Sequence, residues 1–128
     1  MYSEKVIQYM EHPVNIGSLD KDAPNVGTGM VGSPICGDII TFQIMLGDDG
    51  KISDARFKSF GCAANIASSC MATEMLKGRT LDEALQIKNK HIARELGLPP
   101  EKVHCSVLCE DGIQKAVEDL QSKLAKED

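Results

Sequence analysis

The stretch DIITFQIMLGDDGKISDARFKSF, Asp38 to Phe60, decides the fold. From Asp38 to Leu46 the chain alternates, with Ile40, Phe42, Ile44 and Leu46 on one face, the period of a half-buried strand. Gly47-Asp48-Asp49-Gly50 then supplies residues that tolerate positive φ in a hairpin turn, and Ile52 to Phe60 returns as the antiparallel partner.

Helices are expected on both sides of this hairpin. Before it, Ser3 caps a short helix, Glu4 to Glu11, whose apolar positions Val6, Ile7 and Met10 are read as a docking face that ends before Pro13. Asn15 to Gly37 is rich in Gly, Pro, Asn, Asp and Ser, and its composition predicts a mobile loop. After the hairpin, AANIASSCMATEMLK predicts a buried helix stopped at Gly78. Thr80-Leu81-Asp82-Glu83 is a capping box opening a short helix to about Lys88, and Asn89 opens another that Gly97 ends. Pro99 and Pro100 forbid continuation. A last helix follows, with apolar residues at Cys109, Ile113, Ala116, Leu120 and Leu124 and a fraying end. The expectation is a single α+β domain over residues 1–128, a small antiparallel β-sheet with helices packed on one face and a mobile Gly-rich N-terminal region.

Composition narrows the function. A chain of 128 residues, 42% apolar and 26% charged, has the make-up of an ordinary globular domain, and no apolar run is long enough to span a bilayer. Its net charge of -5 argues against binding a phosphate backbone, so neither nucleic acid nor membrane is an expected partner. MYSEKVIQYMEHP lacks the basic and apolar regions of a secretory signal, so a reducing, cytoplasmic location is expected. Five cysteines, an odd number in that setting, point to metal or sulfur chemistry rather than to a disulfide framework.

Gly27 to Gly32, GTGMVG, formally matches a dinucleotide-binding fingerprint, but it follows DKDAPNV and leads into Ser33-Pro34 and a strand, so the strand-to-helix context fails. The cysteines carry more. Cys36 lies at the entry to the first hairpin strand and Cys62 just past the second, and antiparallel pairing brings those two ends together. Cys105 is then the third thiol, with Cys62 and Cys105 both near helix N-termini, where unpaired amides stabilise a thiolate. Asp38 and His104 add an oxygen and an imidazole nitrogen, so up to five donors can surround one site. Cys70 and Cys109 are read as core, His12 and His91 as surface, and Met30, Met45, Met71 and Met75 as core or loop filler.

The motifs PICGD (Pro34 to Asp38), DARFKSFGC (Asp54 to Cys62), ASS (Ala67 to Ser69), TLDEA (Thr80 to Ala84) and LPPEKVHCS (Leu98 to Ser106), taken in that order, resemble the IscU/NifU-N family of iron-sulfur cluster assembly scaffolds. The resemblance implies a non-enzymatic scaffold on which a two-iron two-sulfur cluster is built from desulfurase-derived sulfur and iron, then transferred to apoproteins. It places the cluster and metal ligands at Cys36, Asp38, Cys62, His104 and Cys105, with Cys105 the persulfide acceptor and Zn2+ able to occupy the cluster-free form. It implies as partners an IscS/NifS-like cysteine desulfurase, a ferredoxin, a frataxin-like protein, apo iron-sulfur proteins, and a DnaK-like chaperone with its J-domain co-chaperone, which would recognise Leu98, Pro99, Pro100, Glu101 and Lys102. A homodimer in the cluster-bound state is compatible with it.

Glu101 stands where the family commonly has an apolar residue, and Asn65, Cys70 and Cys109 also depart from its usual pattern. The alternative is a zinc-dependent SufU-like sulfur acceptor, a sulfurtransferase partner of a cysteine desulfurase. The short segment between Cys62 and Cys105 and the presence of His104 favour the scaffold.

Overall fold

The structure, a computed structural model, describes residues 2–33 and 37–126. Its elements are α1 (Glu4–Glu11), β1 (Val26–Ser33), β2 (Asp38–Leu46), β3 (Ile52–Phe60), α2 (Ala63–Leu76), α3 (Leu81–Ala84), α4 (Asn89–Leu96), a 3-10 turn (Pro100–Lys102) and α5 (Val103–Lys126). The three strands form an antiparallel sheet in the order β1-β2-β3. Both hairpin strands have the bounds that their alternation predicts, and Gly50 takes φ +80° in the turn between them. Ile40, Phe42 and Ile44 of β2 and Ala55 and Phe57 of β3 are buried, with Phe42 directly opposite Phe57. α5 packs along β1 and β2, and α2 along β3.

Strand β1 corrects the expectation of a mobile loop at Val26–Ser33. Gly27 and Gly29 serve close packing. A Cβ added at Gly27 would lie 2.2 Å from the Ala116 carbonyl oxygen, and one at Gly29 would lie 2.5 Å from both the Ala116 nitrogen and the Gly112 oxygen of α5. Helix α5 answers in kind, since a Cβ on Gly112 would lie 2.5 Å from the ring of Phe42. Bare backbone on both sides lets helix and sheet approach more closely than side chains allow.

On the other face of β2, Gln43 is nearly buried and holds the preceding loop. Its Nε2 donates to the Leu19 carbonyl at 3.0 Å, and its Oε1 accepts from the Leu19 N–H at 2.7 Å. The loop also pairs with β3: the Phe57 N–H donates to Asn15 O and the Gly17 N–H to Phe57 O, each at 3.0 Å.

Ser3 caps α1 as its position predicts, accepting from the Val6 N–H and donating to the Leu96 carbonyl. The docking face differs from expectation. Val6 is fully buried, Tyr9 one turn further on and Tyr2 just before the Ser3 cap pack against the same core, and Ile7 and Met10 stay exposed. The two rings, one on the helix and one on the chain that enters it, take the core positions expected of the aliphatic pair.

Helix α2 is buried on almost every side. Its hydroxyls turn back onto the helix: Ser69 donates to the Asn65 carbonyl at 2.9 Å and Thr73 to the Ser69 carbonyl at 3.0 Å. Gly78, at φ +85°, reverses the chain after it. The Thr80 capping box is complete, but α3 stops at Ala84 rather than near Lys88. Gly97 ends α4 in the left-handed conformation. The start of α4 is held from outside, because Glu110 of α5 accepts from the Asn89 N–H at 2.6 Å and from its side-chain amide at 3.2 Å.

Candidate metal-thiolate site

Three elements end at one place. Asp38 opens β2, and the pairing of Ile39 with Phe60 sets it beside the chain leaving β3 through Gly61. Cys62 is the N-cap residue of α2, and Cys105 lies in the first turn of α5. One ligand atom from each of Asp38, Cys62 and Cys105 lies within 4.8 Å of the other two.

Cys105 is central to the group. Its Sγ is 3.9 Å from Cys62 Sγ, 3.9 Å from Asp38 Oδ2 and 3.6 Å from His104 Nε2. His104 Nε2 in turn lies 3.6 Å from Asp38 Oδ2. Four of the five donors named from the sequence therefore meet; the fifth, Cys36, lies outside the described residues.

Asp38 and Cys105 are buried, Cys62 and His104 half-buried. Burial, then the neighbouring Cys62 and Asp38, push the Cys105 thiol far above the ordinary thiol range. Two thiols and a carboxylate this close repel one another once ionised, and a cation among them reverses that preference. Soft thiolates with an imidazole and a carboxylate suit zinc or iron-sulfur species, and three thiols with one weaker ligand form a less closed shell than four thiolates.

Cys70 and Cys109 are fully buried core residues, as their positions predict. Cys109 Sγ lies 3.9 Å from Ser69 Oγ, and burial pushes its thiol up to about 12. His12 and His91 are exposed. In the Leu98 to Lys102 segment, Leu98 packs against the core while Pro100 and Glu101 are exposed on the 3-10 turn that feeds α5. The segment leads through Val103 directly into His104.

Two contributors carry less signal in the sequence. Gly61 reads as a flexible neighbour of Cys62, yet a Cβ there would lie 2.5 Å from Asp38 Oδ1, so the carboxylate needs the missing side chain's space. Asn65 reads as one polar residue in an Ala/Ser-rich helix, yet its side chain is fully buried on the same side of Gly61.

Fold and donors together define a small sheet-and-helix protein with a metal-competent cluster of thiols, carboxylate and imidazole. The chain belongs to the NifU-like N terminal domain family, which matches residues 1–127. It is 57% identical over 122 residues to the iron-sulfur cluster assembly scaffold protein IscU of Azotobacter vinelandii, covering 95% of each chain. It is 54% identical over 126 residues to iron-sulfur cluster assembly protein 2 of Arabidopsis thaliana, covering 98% of this chain and 77% of that one. Among solved structures, a putative iron-sulfur cluster assembly scaffold for the SUF system from Fervidobacterium islandicum AW-1 superposes with a TM-score of 0.70 at 25% identity, over 91% of this chain and 96% of that chain.

Proposed function

We propose that the protein is a scaffold on which a two-iron two-sulfur cluster is assembled and from which it is passed to apoproteins. The convergence of Asp38, Cys62 and Cys105 from three separate elements carries the reading, and the scaffold relatives support it. The cluster is cargo, and the protein acts as carrier rather than as enzyme.

In this reading Cys36, Cys62 and Cys105 ligate the cluster, and Asp38 or His104 completes the shell. Sulfur arrives from a cysteine desulfurase. The Cys105 thiolate attacks the terminal sulfur of the donor persulfide, a new S–S bond forms on Cys105, the donor's S–S bond breaks, and the donor leaves as a thiolate. Because Cys105 is buried, this step requires the first turn of α5 to open, and His104 Nε2 at 3.6 Å can take the thiol proton. Electrons from a ferredoxin reduce persulfide sulfur to sulfide, with a frataxin-like protein as modulator. Leu98 to Lys102 is the proposed grip of a DnaK-like chaperone and its J-domain partner, which would release the cluster by pulling on the turn that leads into His104 and Cys105. Zinc can hold the cluster-free site, and the proposed compartment is the cytoplasm. The SufU-like zinc sulfur acceptor is less well supported, since the SUF-system structure is 25% identical whereas the IscU relative is 57% identical.

Anaerobic reconstitution with desulfurase, iron and cysteine tests the reading. Wild type develops visible cluster absorption with stoichiometric iron and sulfide. Cys36→Ser, Cys62→Ser and Cys105→Ser each abolish it, and unchanged absorption in any of them refutes that ligand.

A further inference from the structure

Asn65 has a side chain that the scaffold reading leaves unused. It is fully buried in the first turn of α2, and neither its Nδ2 nor its Oδ1 has a hydrogen-bond partner among the described residues. Its backbone is satisfied, the N–H donating to the Cys62 carbonyl at 3.0 Å and the carbonyl accepting from Ser69 Oγ at 2.9 Å. Only the carboxamide is open. A buried amide without a partner is costly, and alanine would suit this helix better on local grounds.

The carboxamide is aimed at the metal site. A Cβ placed on Gly61 would lie 2.4 Å from Asn65 Nδ2, 2.5 Å from Asp38 Oδ1 and 2.9 Å from Asp38 Cγ. The amide and the carboxylate thus both crowd over the bare Cα of Gly61, and the space between them is too narrow for a methyl group. The two carboxylate oxygens are divided between neighbours: Oδ1 lies on the Asn65 side, and Oδ2 faces His104 Nε2 at 3.6 Å and Cys105 Sγ at 3.9 Å.

We propose that Asn65 is a positioning residue for Asp38: when a divalent metal ion binds between Cys62 and Cys105, the Nδ2–H that is unpartnered here closes across Gly61 onto Oδ1, so that Oδ2 is the oxygen presented to the ion. The inference rests on Asp38 being a metal ligand. Only the amide nitrogen can donate to a carboxylate, which gives this pairing one sense. A hydrogen bond to the far oxygen fixes the rotation of a ligating carboxylate, and losing such a support typically weakens metal binding about 10-fold or more.

Anaerobic Co2+ titration, followed by ligand-field and sulfur-to-cobalt absorption, tests it on wild type, Asn65→Ala, Asp38→Ala and the double variant. Asn65→Ala is expected to weaken Co2+ binding about 10-fold, with the melting temperature of the metal-free protein unchanged or raised. In the Asp38→Ala background the same substitution should change affinity less than twofold. Asn65→Leu, which keeps the branched shape and removes the donor, should match Asn65→Ala. The inference is overturned if Asn65→Ala or Asn65→Leu binds within twofold of wild type, or if the loss persists undiminished without Asp38. If Asp38→Ala weakens binding while Asn65→Ala does not, the positioning role alone falls. If Asp38→Ala has no effect, the ligand reading falls and takes the positioning role with it.

Discussion

Replacing Gly27 by alanine separates two physical reasons for a glycine-rich segment. Were Val26–Ser33 a flexible loop, the substitution would restrict folded and unfolded chains alike and leave stability nearly unchanged. The structure requires a marked loss. Gly27 lies in β1 outside the positive-φ glycines, so the backbone itself accepts alanine, but the added Cβ would lie 2.2 Å from the Ala116 oxygen and 2.7 Å from the Leu120 Cβ. Ordinary contact begins near 3.5 Å, so α5 must retreat from the sheet by about 1 Å. Overpacking of that kind costs about 3 kcal/mol. For a chain of 128 residues this corresponds to a drop in melting temperature of roughly 10 °C. Urea unfolding followed by circular dichroism, with thermal melts on the same samples, measures it. Gly50→Ala is the contrast, since that turn residue has φ +80° and open space around it, and conformational strain alone costs about 1 kcal/mol. A Gly27→Ala protein as stable as wild type, or more stable, would refute the packing account.

Asp38→Ala is expected to slow delivery of a reconstituted cluster to an apo-ferredoxin, read by circular dichroism, because the carboxylate offers a route for ligand exchange with water; transfer at the wild-type rate would make Asp38 structural. In the proposed ligand role the same carboxylate would favour capture of a single divalent ion of borderline hardness, so the two assays would move separately. Cys109 has its thiol raised by burial to about 12 in the folded state, so its contribution to stability is complete below the ordinary thiol range near 8.5 and is lost as pH rises toward the folded value. Cys109→Ala should therefore flatten the fall in stability between about pH 8 and 10, and parallel profiles for the two proteins would contradict this. Glu101→Leu should tighten binding of a Leu98 to Lys102 peptide to a DnaK-like chaperone several-fold by fluorescence anisotropy, because it removes an exposed carboxylate from a segment that an apolar groove must hold; equal affinity would count against that segment as the grip.

The sequence is most legible where structure is local. The hairpin strands are set by alternation and a Gly-Asp-Asp-Gly turn, and the Thr80 capping box by two residues three apart. β1 is illegible for the converse reason: Gly27 and Gly29 report the proximity of Ala116, a partner some ninety residues away that no local pattern encodes. The face of α1 fails similarly, since Tyr2 and Tyr9 win against Ile7 and Met10 through the shape of a core assembled later in the chain. At the site, Asp38, Cys62, His104 and Cys105 stand out by residue type and by their positions at element ends. Gly61 and Asn65 do not, because their importance is a matter of distances of a few ångströms rather than of chemistry.

The placement of the donors at the ends of three separate elements gives the site a second physical meaning. Asp38 and Cys105 are 67 residues apart in sequence, and Cys62 and Cys105 are 43 apart. A bound ion held by all three works as a removable staple across two long loops, and cross-links over long loops are those that most restrict the unfolded chain. Loading should therefore tighten the end of the sheet and the roots of α2 and α5 together, and unloading should loosen them together. Under the proposed function, occupancy would then be written into the stiffness of the fold, where a partner could read it without touching the metal.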